Sequence, residues 1–161
     1  MISSNSIIKE IKKKKLSLFE TFFPKYKYGF QLKKIKKFQK FKTIIVIGMG
    51  GSILGSKAIY SFLGHKINKD FIFFDNLSEA NFKDFKSKKK KDSSLFIIVS
   101  KSGNTIETLI NINLLKKTDL NHLNTIMITE KNNNALNNIC KKKKILTIEH
   151  KNYIGGRYSV L

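Results

Sequence analysis

The stretch "SLFIIVSKSGNTIET", residues 94–108, combines a strand, a sharp polar loop and the start of a helix. Leu95 to Val99 are all apolar, which is typical of a strand buried on both faces of a sheet. The run ends at Ser100, and small or hydroxylated residues follow as far as Thr105. This order places the loop at the carboxyl end of a buried strand, where open parallel sheets hold their ligands.

Similar apolar runs recur along the chain. They are "TIIVIG" (43–48), "FIFF" (71–74), "LFIIV" (95–99), "TIMIT" (125–129) and, more weakly, "ILTI" (145–148). Helical patterns separate them at 52–63, 78–86, 105–117 and 132–140. This alternation predicts an α/β fold, a three-layer sandwich with a parallel sheet of about five strands and helices on both faces.

The chain before Thr43 has a different pattern. Residues 1–42 alternate lysines with Ile, Leu and Phe, which predicts amphipathic helices interrupted near Pro24. We therefore expect two parts, an N-terminal helical arm over 1–42 that packs on the main body, and one α/β domain over 43–161.

The loop that follows "LFIIV" is suited to an anion. It carries three hydroxyls around a glycine, those of Ser100, Ser102 and Thr105. Hydroxyls and free backbone N–H groups at a helix N-terminus form a cradle for phosphate, and the positive end of the helix dipole adds to it. The loop is predicted to hold a phosphate monoester.

Other residues of this loop have simpler explanations as well. Lys101 adds charge from the side, although lysine is common throughout this chain. Asn104 is predicted to cap the helix that begins near Thr105, with Glu107 completing a capping box.

A second loop, "GMGGSILGS" at 48–56, directly follows the first predicted strand. Its glycines allow a sharp turn and close approach to a ligand, and Ser52 after Gly51 opens the next helix. The spacing matches a dinucleotide fingerprint poorly, and Asp75 after the second strand is the only other support for a nucleotide. Glycines that serve only a tight turn are an alternative interpretation.

A third loop, "NYIGGRYSV" at 152–160, contains the only arginine of the chain, Arg157. An arginine beside two glycines suggests a bidentate or charge-stabilising role, since the glycines permit close backbone approach. A surface ion pair is the alternative.

The formal net charge of +21 raises the possibility of nucleic-acid binding. However, the basic residues are almost all lysines, and the chain is also rich in Ile, Asn and Phe. These four residue types share A/T-rich codons, so genome composition accounts for the excess. Arginine is the residue that phosphate and base recognition favour, and we expect no nucleic-acid partner.

Location and redox state also follow from the sequence. No apolar run approaches the ~20 residues of a membrane helix, and the first residues place lysines after a short apolar cluster, unlike a signal peptide. We expect a soluble, cytoplasmic protein without a membrane partner. The single cysteine, Cys140, is predicted to be a plain thiol because it has no disulfide partner and no metal-ligand spacing.

Together the motifs "GMGGSILG", "SKSGNTIET" and "GGRYSVL" resemble the glucose-6-phosphate isomerase family in order and approximate spacing. The first two also resemble the phosphosugar-binding loops of the wider sugar-isomerase domain, which has a flavodoxin-like sheet. The resemblance covers residue 43 to the last residue. It implies reversible conversion of glucose 6-phosphate to fructose 6-phosphate through an enediolate, without a metal or cofactor, in a full-length parent that is a homodimer.

The resemblance also implies roles for individual residues. Gly51 and Ser52 match positions that contact the sugar. The positions that match the phosphate-binding loop are Ser100, Lys101, Ser102 and Thr105. Arg157 matches the arginine that stabilises the negative enediolate, a role that suits a fixed positive charge.

One departure concerns the chemistry. In the family a glutamate base, a ring-opening histidine and a lysine come downstream of the "GGRYS" motif, and this sequence ends at Leu161. We therefore expect an N-terminal portion of a longer enzyme, incomplete at its C-terminus and inactive alone, because proton transfer needs a positioned base. A non-catalytic phosphosugar-binding module of a regulator, or of another sugar-isomerase-domain protein, is the alternative.

Overall fold

The computed structural model describes residue 9 and residues 24–79, 82–83, 85, 94–116 and 120–156. Within these ranges the chain forms one sheet of five strands that are all parallel. The strands are β1 (Thr43–Ile47), β2 (Asp70–Phe74), β3 (Ser94–Val99), β4 (Thr125–Thr129) and β5 (Leu146–Glu149). Each strand lies within one residue of the predicted apolar run, and the predicted parallel α/β sheet is confirmed.

A short helix precedes β1, and helices connect the strands as predicted. They are α1 (Leu32–Lys36), α2 (Gly51–Leu63), α3 (Ile106–Lys116) and α4 (Ala135–Lys143), with a 3₁₀ turn at Gly64–Lys66. In the stretch predicted to be helical at 78–86, the described residues from 79 to 85 are helical.

Helix α4 begins three residues later than predicted, and its cap explains the shift. Asn134 is in an extended conformation, and its side chain accepts a hydrogen bond from the backbone N–H of Asn137 at 2.8 Å. An asparagine that caps in this way fixes the first turn just after itself. At the other end the helix extends to Lys143, and Lys144 adopts a left-handed conformation with φ of 54°.

The strand order is β2-β1-β3-β4-β5, the order of flavodoxin-like sheets. The chain leaves β1 toward β2 at one edge and returns to β3 on the other side of β1, pairing Ile44 with Leu95 and Ile47 with Ile98. The strand order therefore reverses between β1 and β3. Ligand sites of such sheets lie at this switch point, outside the carboxyl ends of the strands.

Both faces of the sheet are buried, which gives the three layers. On one face, Ile45, Phe96 and Met127 pack with residues of α3, α4 and the helical stretch near Phe85. On the other face, alternate strand residues pack with Ile53 of α2 and with Phe38 and Phe41. The last residues of the predicted N-terminal arm thus contribute to the core; the boundary at residue 42 stays a prediction.

Cys140 is a buried residue of the first face. Its thiol lies 3.1 Å from the sulfur of Met127, and burial raises the pKa of the Cys140 thiol. Because the thiolate is the reactive form, a raised pKa makes the thiol less reactive. Cys140 therefore contributes to the packing of the core.

No helix in the described ranges is both long enough and apolar enough to cross a membrane.

Two phenylalanines test the assignment of the core. Phe96 is fully buried between the sheet and the helices, whereas Phe62 on α2 is 78% exposed. We expect Phe96→Leu to lower the free energy of unfolding by about 1–3 kcal/mol, because the smaller side chain leaves a cavity. The matched change Phe62→Leu should stay within about 0.5 kcal/mol. Urea unfolding of both variants measures the difference, and equal effects would contradict the assignment.

Candidate functional site

A cleft of about 490 Å³ lies at the carboxyl ends of the strands, beside the switch point. Its lining residues follow β1, β3, β4 and β5; they are Met49, Gly51, Ser52, Lys101, Ser102, Thr105, Glu130 and Gly156. This volume falls in the range of small-molecule sites. Loops separated by about a hundred residues in the sequence therefore meet around one space.

The loop after β3 is held in shape by its own hydroxyls. Ser100 is buried, and its Oγ lies 3.0 Å from Oγ1 of Thr105 and accepts a hydrogen bond from the N–H of Gly103 at 3.2 Å. The Oγ of Ser102 accepts from the N–H of Asn104 at 3.2 Å. Ser102 and Thr105 line the cleft directly, and the buried Ser100 contacts the hydroxyl of Thr105.

Helix α3 directs its N-terminus into the cleft. Thr105 is its N-cap residue, because the carbonyl of Thr105 accepts the first helical bond, from the N–H of Leu109 at 3.0 Å. Within the described ranges the backbone N–H groups of Ser102 and Thr105 have no acceptor. Unpaired N–H groups beside hydroxyls at a helix N-terminus form an anion-binding arrangement.

The predicted cap of α3 was wrong. Asn104 precedes the N-cap, and its Oδ1 accepts instead from the N–H of Ala135 at 2.9 Å, in the first turn of α4. With Thr105 as N-cap, the capping-box position falls on Thr108, not on Glu107. The cause is a contact between distant parts of the chain, which local spacing does not reveal.

The loop after β3, which is the candidate phosphate-binding loop, accepts hydrogen bonds from the N-terminus of α4. Besides the bond from Ala135 to Asn104, the N–H of Leu136 donates to the carbonyl of Gly103 at 3.1 Å. The third N–H of the turn, that of Asn137, is capped by Asn134. Of these two neighbouring helix N-termini, α3 is therefore the one available to a ligand.

Gly103 is required at the junction, by which we mean the contact of residues 103–104 with the first turn of α4. Its φ is +69°, a left-handed conformation that favours glycine, and a Cβ there would overlap the side chain of Asn134. That side chain is itself fixed, since its Nδ2 donates to Oγ1 of Thr129 at 3.2 Å and to the carbonyl of Glu130 at 3.2 Å.

The loop after β1 brings glycine and serine to the opposite side of the cleft. Gly48 lies so close to β3 that a Cβ there would be 3.0 Å from the carbonyl oxygen of Val99. Gly51 and Ser52 form the first turn of α2 and line the cleft. Asp75 forms an ion pair with Lys57, which accounts for the acidic residue after β2 without a nucleotide.

The loop after β5 reaches the cleft at Gly156. The turn before it is contacted by Lys101, whose Nζ donates to the carbonyls of Asn152 at 2.9 Å and Ile154 at 2.8 Å. Arg157 comes next in the sequence and lies outside the described residues.

The structure thus brings together most of the residues singled out in the sequence. Those that line the cleft are Gly51, Ser52, Lys101, Ser102 and Thr105, and Ser100 contacts Thr105. Glu130 was missed; its position directly after β4 was the available signal, because the carboxyl end of every strand faces this side. Among the described residues, His, Cys, Asp and Glu form no cluster that could hold a metal ion.

Comparison with known proteins identifies the family of this chain. A family model described as phosphoglucose isomerase matches residues 5–161. The chain belongs to the phosphoglucose isomerase family. The match begins well before residue 43, so the family likeness includes most of the N-terminal region as well as the three loops.

One relative and two solved structures illustrate the likeness. The glucose-6-phosphate isomerase of Methanocaldococcus jannaschii is 34% identical over 135 residues, covering 83% of this chain and 33% of that protein. The crystal structure of a glucose-6-phosphate isomerase from Chlamydia trachomatis superposes with a TM-score of 0.66 at 23% identity, over 99% of this chain and 29% of that chain. The Vibrio vulnificus NanR protein complexed with ManNAc-6P has a TM-score of 0.53 at 19% identity, over 80% and 46%.

The chain spans about a third of the length of the family member from Methanocaldococcus jannaschii.

The junction between the two helix N-termini is testable. We expect Gly103→Ala to lower the free energy of unfolding by about 1–3 kcal/mol, because it combines a strained backbone with the overlap against Asn134. It should also shift the amide resonances of Ala135 and Leu136, which bond to this loop.

Gly64→Ala is the matched control. Gly64 has φ of −53°, and a Cβ there would meet nothing within 4 Å. This change should be neutral or stabilise by about 0.4–1 kcal/mol. Similar losses in both variants, measured by urea unfolding, would contradict the proposed junction.

Proposed function

We propose that this domain binds the phosphate of a hexose phosphate in an aldose–ketose isomerase, and that the parent protein interconverts glucose 6-phosphate and fructose 6-phosphate. The observation that carries the proposal is the cradle of hydroxyls and unpaired N–H groups at the N-terminus of α3. Membership of the phosphoglucose isomerase family supports the same ligand class.

The phosphate is held mainly by hydrogen bonds and the helix dipole. Ser102 and Thr105 line the cleft with their hydroxyls available as hydrogen-bonding groups, and within the described ranges their N–H groups have no acceptor. Ser100 keeps the Thr105 hydroxyl in place. The positive end of α3 favours the negative charge.

The sugar end of the ligand extends toward the other loops. Gly51 and Ser52 lie across the cleft from Thr105, and Gly156 borders it from the loop after β5. Arg157, adjacent to Gly156 in the sequence, is proposed to stabilise the enediolate that forms when a proton moves between C2 and C1. A fixed cation at that point lowers the energy of the transition state more than that of the bound substrate.

The proton transfer itself needs a base from elsewhere. Glu130 is the only carboxylate among the described lining residues, and it faces Lys101 at 3.6 Å and accepts from Nδ2 of Asn132 at 3.1 Å. Because its two oxygens already face protein partners, this carboxylate is a weak candidate for a base. We propose that these 161 residues bind substrate without turning it over, and that the parent is a cytoplasmic homodimer that needs no cofactor.

A phosphosugar-binding module without catalysis is the second candidate. It is favoured by the shared fold of the Vibrio vulnificus NanR protein, whose structure is a complex with ManNAc-6P. The two candidates differ in the parent protein: only the isomerase depends on Arg157 for turnover.

Binding at the loop after β3 can be measured on the chain as it stands. Glucose 6-phosphate should shift the amide resonances of residues 100–105. Thr105→Val should weaken binding by about tenfold or more, because a hydrogen bond to a charged phosphate is lost. The matched change Thr147→Val, at an exposed position of the edge strand β5, should have no effect. Shifts confined to other residues would refute the proposed site.

Turnover separates binding from catalysis. The purified chain, free of host isomerase, should form no fructose 6-phosphate from glucose 6-phosphate above background, because general acid–base groups contribute roughly 10²–10⁴-fold each. Turnover at the level of an ordinary isomerase that Arg157→Ala abolishes would show that these residues contain a base and would overturn this part of the proposal.

A further inference from the structure

The side chain of Lys101 makes contacts that are not expected of a lysine whose only role is to bind phosphate. Its Nζ donates to the carbonyl of Asn152 at 2.9 Å and to that of Ile154 at 2.8 Å, and lies 3.6 Å from Oε1 of Glu130. A lysine ammonium has three N–H donors. The two carbonyls take two of these donors, and the Glu130 carboxylate, at ion-pair distance, balances the charge, so the ammonium is directed mainly at protein groups.

The other end of this residue is fixed as well. The carbonyl of Lys101 accepts from the N–H of Glu130 at 3.0 Å and from Oγ1 of Thr129 at 3.3 Å. The side chain is therefore anchored to the end of β4 at its base and to the 152–154 turn at its tip. Only 28% of the Lys101 side chain and 21% of the Glu130 side chain are exposed, so water weakens the pair less than it would on an open surface.

The turn that Lys101 contacts leads straight into the third loop. A backbone hydrogen bond closes it, from the N–H of Ile154 to the carbonyl of Lys151 at 3.1 Å. Two carbonyls that converge on one ammonium add a charged contact to this short turn. Gly155 and Gly156 follow at once, and Gly156 borders the cleft.

We propose that Lys101 is a positioning residue, which with Glu130 braces the 152–154 turn and so sets where Gly156 borders the cleft. The loop that binds phosphate thereby fixes the loop that faces the reacting carbons. This inference rests on the proposed function for its ligand, but its structural part concerns the ligand-free chain. It assigns the Lys101 side chain to the 152–154 turn, in contrast to the phosphate role that the motif resemblance implies.

The structural part is tested by the mobility of Gly155 and Gly156 without ligand. In Lys101→Met we expect backbone order parameters from ¹⁵N relaxation at these glycines to fall to below about 0.6, the range of flexible segments. Lys101→Arg, whose guanidinium can also donate to two carbonyls, should restore them at least in part. Lys131→Met removes one charge from an exposed neighbour of Glu130 and is the matched control; it should leave the glycines as they are.

The functional part is tested by comparing two ligands, inorganic phosphate and glucose 6-phosphate. Lys101→Met alone would leave the Glu130 carboxylate facing the cleft and repel both anions, so the double variant Lys101→Met/Glu130→Gln is used beside it. In the double variant the ratio of the two dissociation constants, glucose 6-phosphate over phosphate, should rise about tenfold, because only the sugar end depends on the braced turn.

The outcomes separate the alternatives. If Lys101 contacts the phosphate directly, its loss weakens the binding of both ligands equally. An unchanged ratio of dissociation constants would therefore overturn the positioning role. Unchanged order parameters in Lys101→Met, with the fold intact by circular dichroism, would overturn it too. If Lys101→Met does not fold, the variant Glu130→Gln, which retains Lys101, replaces it. We then expect smaller changes in the same direction in the order parameters and in the ratio of dissociation constants. If the unaltered chain binds neither ligand at residues 100–105, the proposed function fails, while the relaxation measurement still decides the structural part.

Discussion

The pairing of β1 with β3 is the contact on which the site depends. These strands are not consecutive in the chain, and their parallel register places Ile47 beside Ile98, so that both strands end at the same level. The loops that follow them diverge to different sides of the sheet, and the space between the loops is the cleft. The chemistry of the glycines and hydroxyls matters only because this strand pair places them face to face.

A second constraint is the division of backbone N–H groups between two helices. Helices α3 and α4 both begin at this end of the sheet, and each has N–H groups without helical partners. The loop after β3 satisfies those of α4 with the carbonyl of Gly103 and the side chain of Asn104. The electropositive end of α3 remains for a ligand. The position of the site therefore depends on both helices: the N–H groups of α4 are satisfied by the protein, and the N-terminus of α3 is available.

The sequence was sufficient for features that depend on local pattern and insufficient for those that depend on contacts between loops. Continuous apolar runs located all five described strands, because both faces of the sheet are buried. The weakest run, at β5, is an edge strand whose residues alternate between half-buried and exposed. The partner of Asn104 and the orientation of Lys101 were beyond local reasoning, since each is set by residues about 30 or 50 positions away. The place of Arg157 stays a prediction.

The fit between Gly103 and Asn134 has a consequence for how this protein can diverge. The left-handed glycine leaves the room that the asparagine side chain occupies, and the asparagine in turn caps α4 and bonds to the end of β4. A larger residue at either position removes the space needed by the other, and a residue without a side-chain acceptor at 134 removes the cap. The two positions should therefore change together or not at all during evolution, although neither faces the cleft. Their joint conservation would reflect architecture and not contact with a ligand.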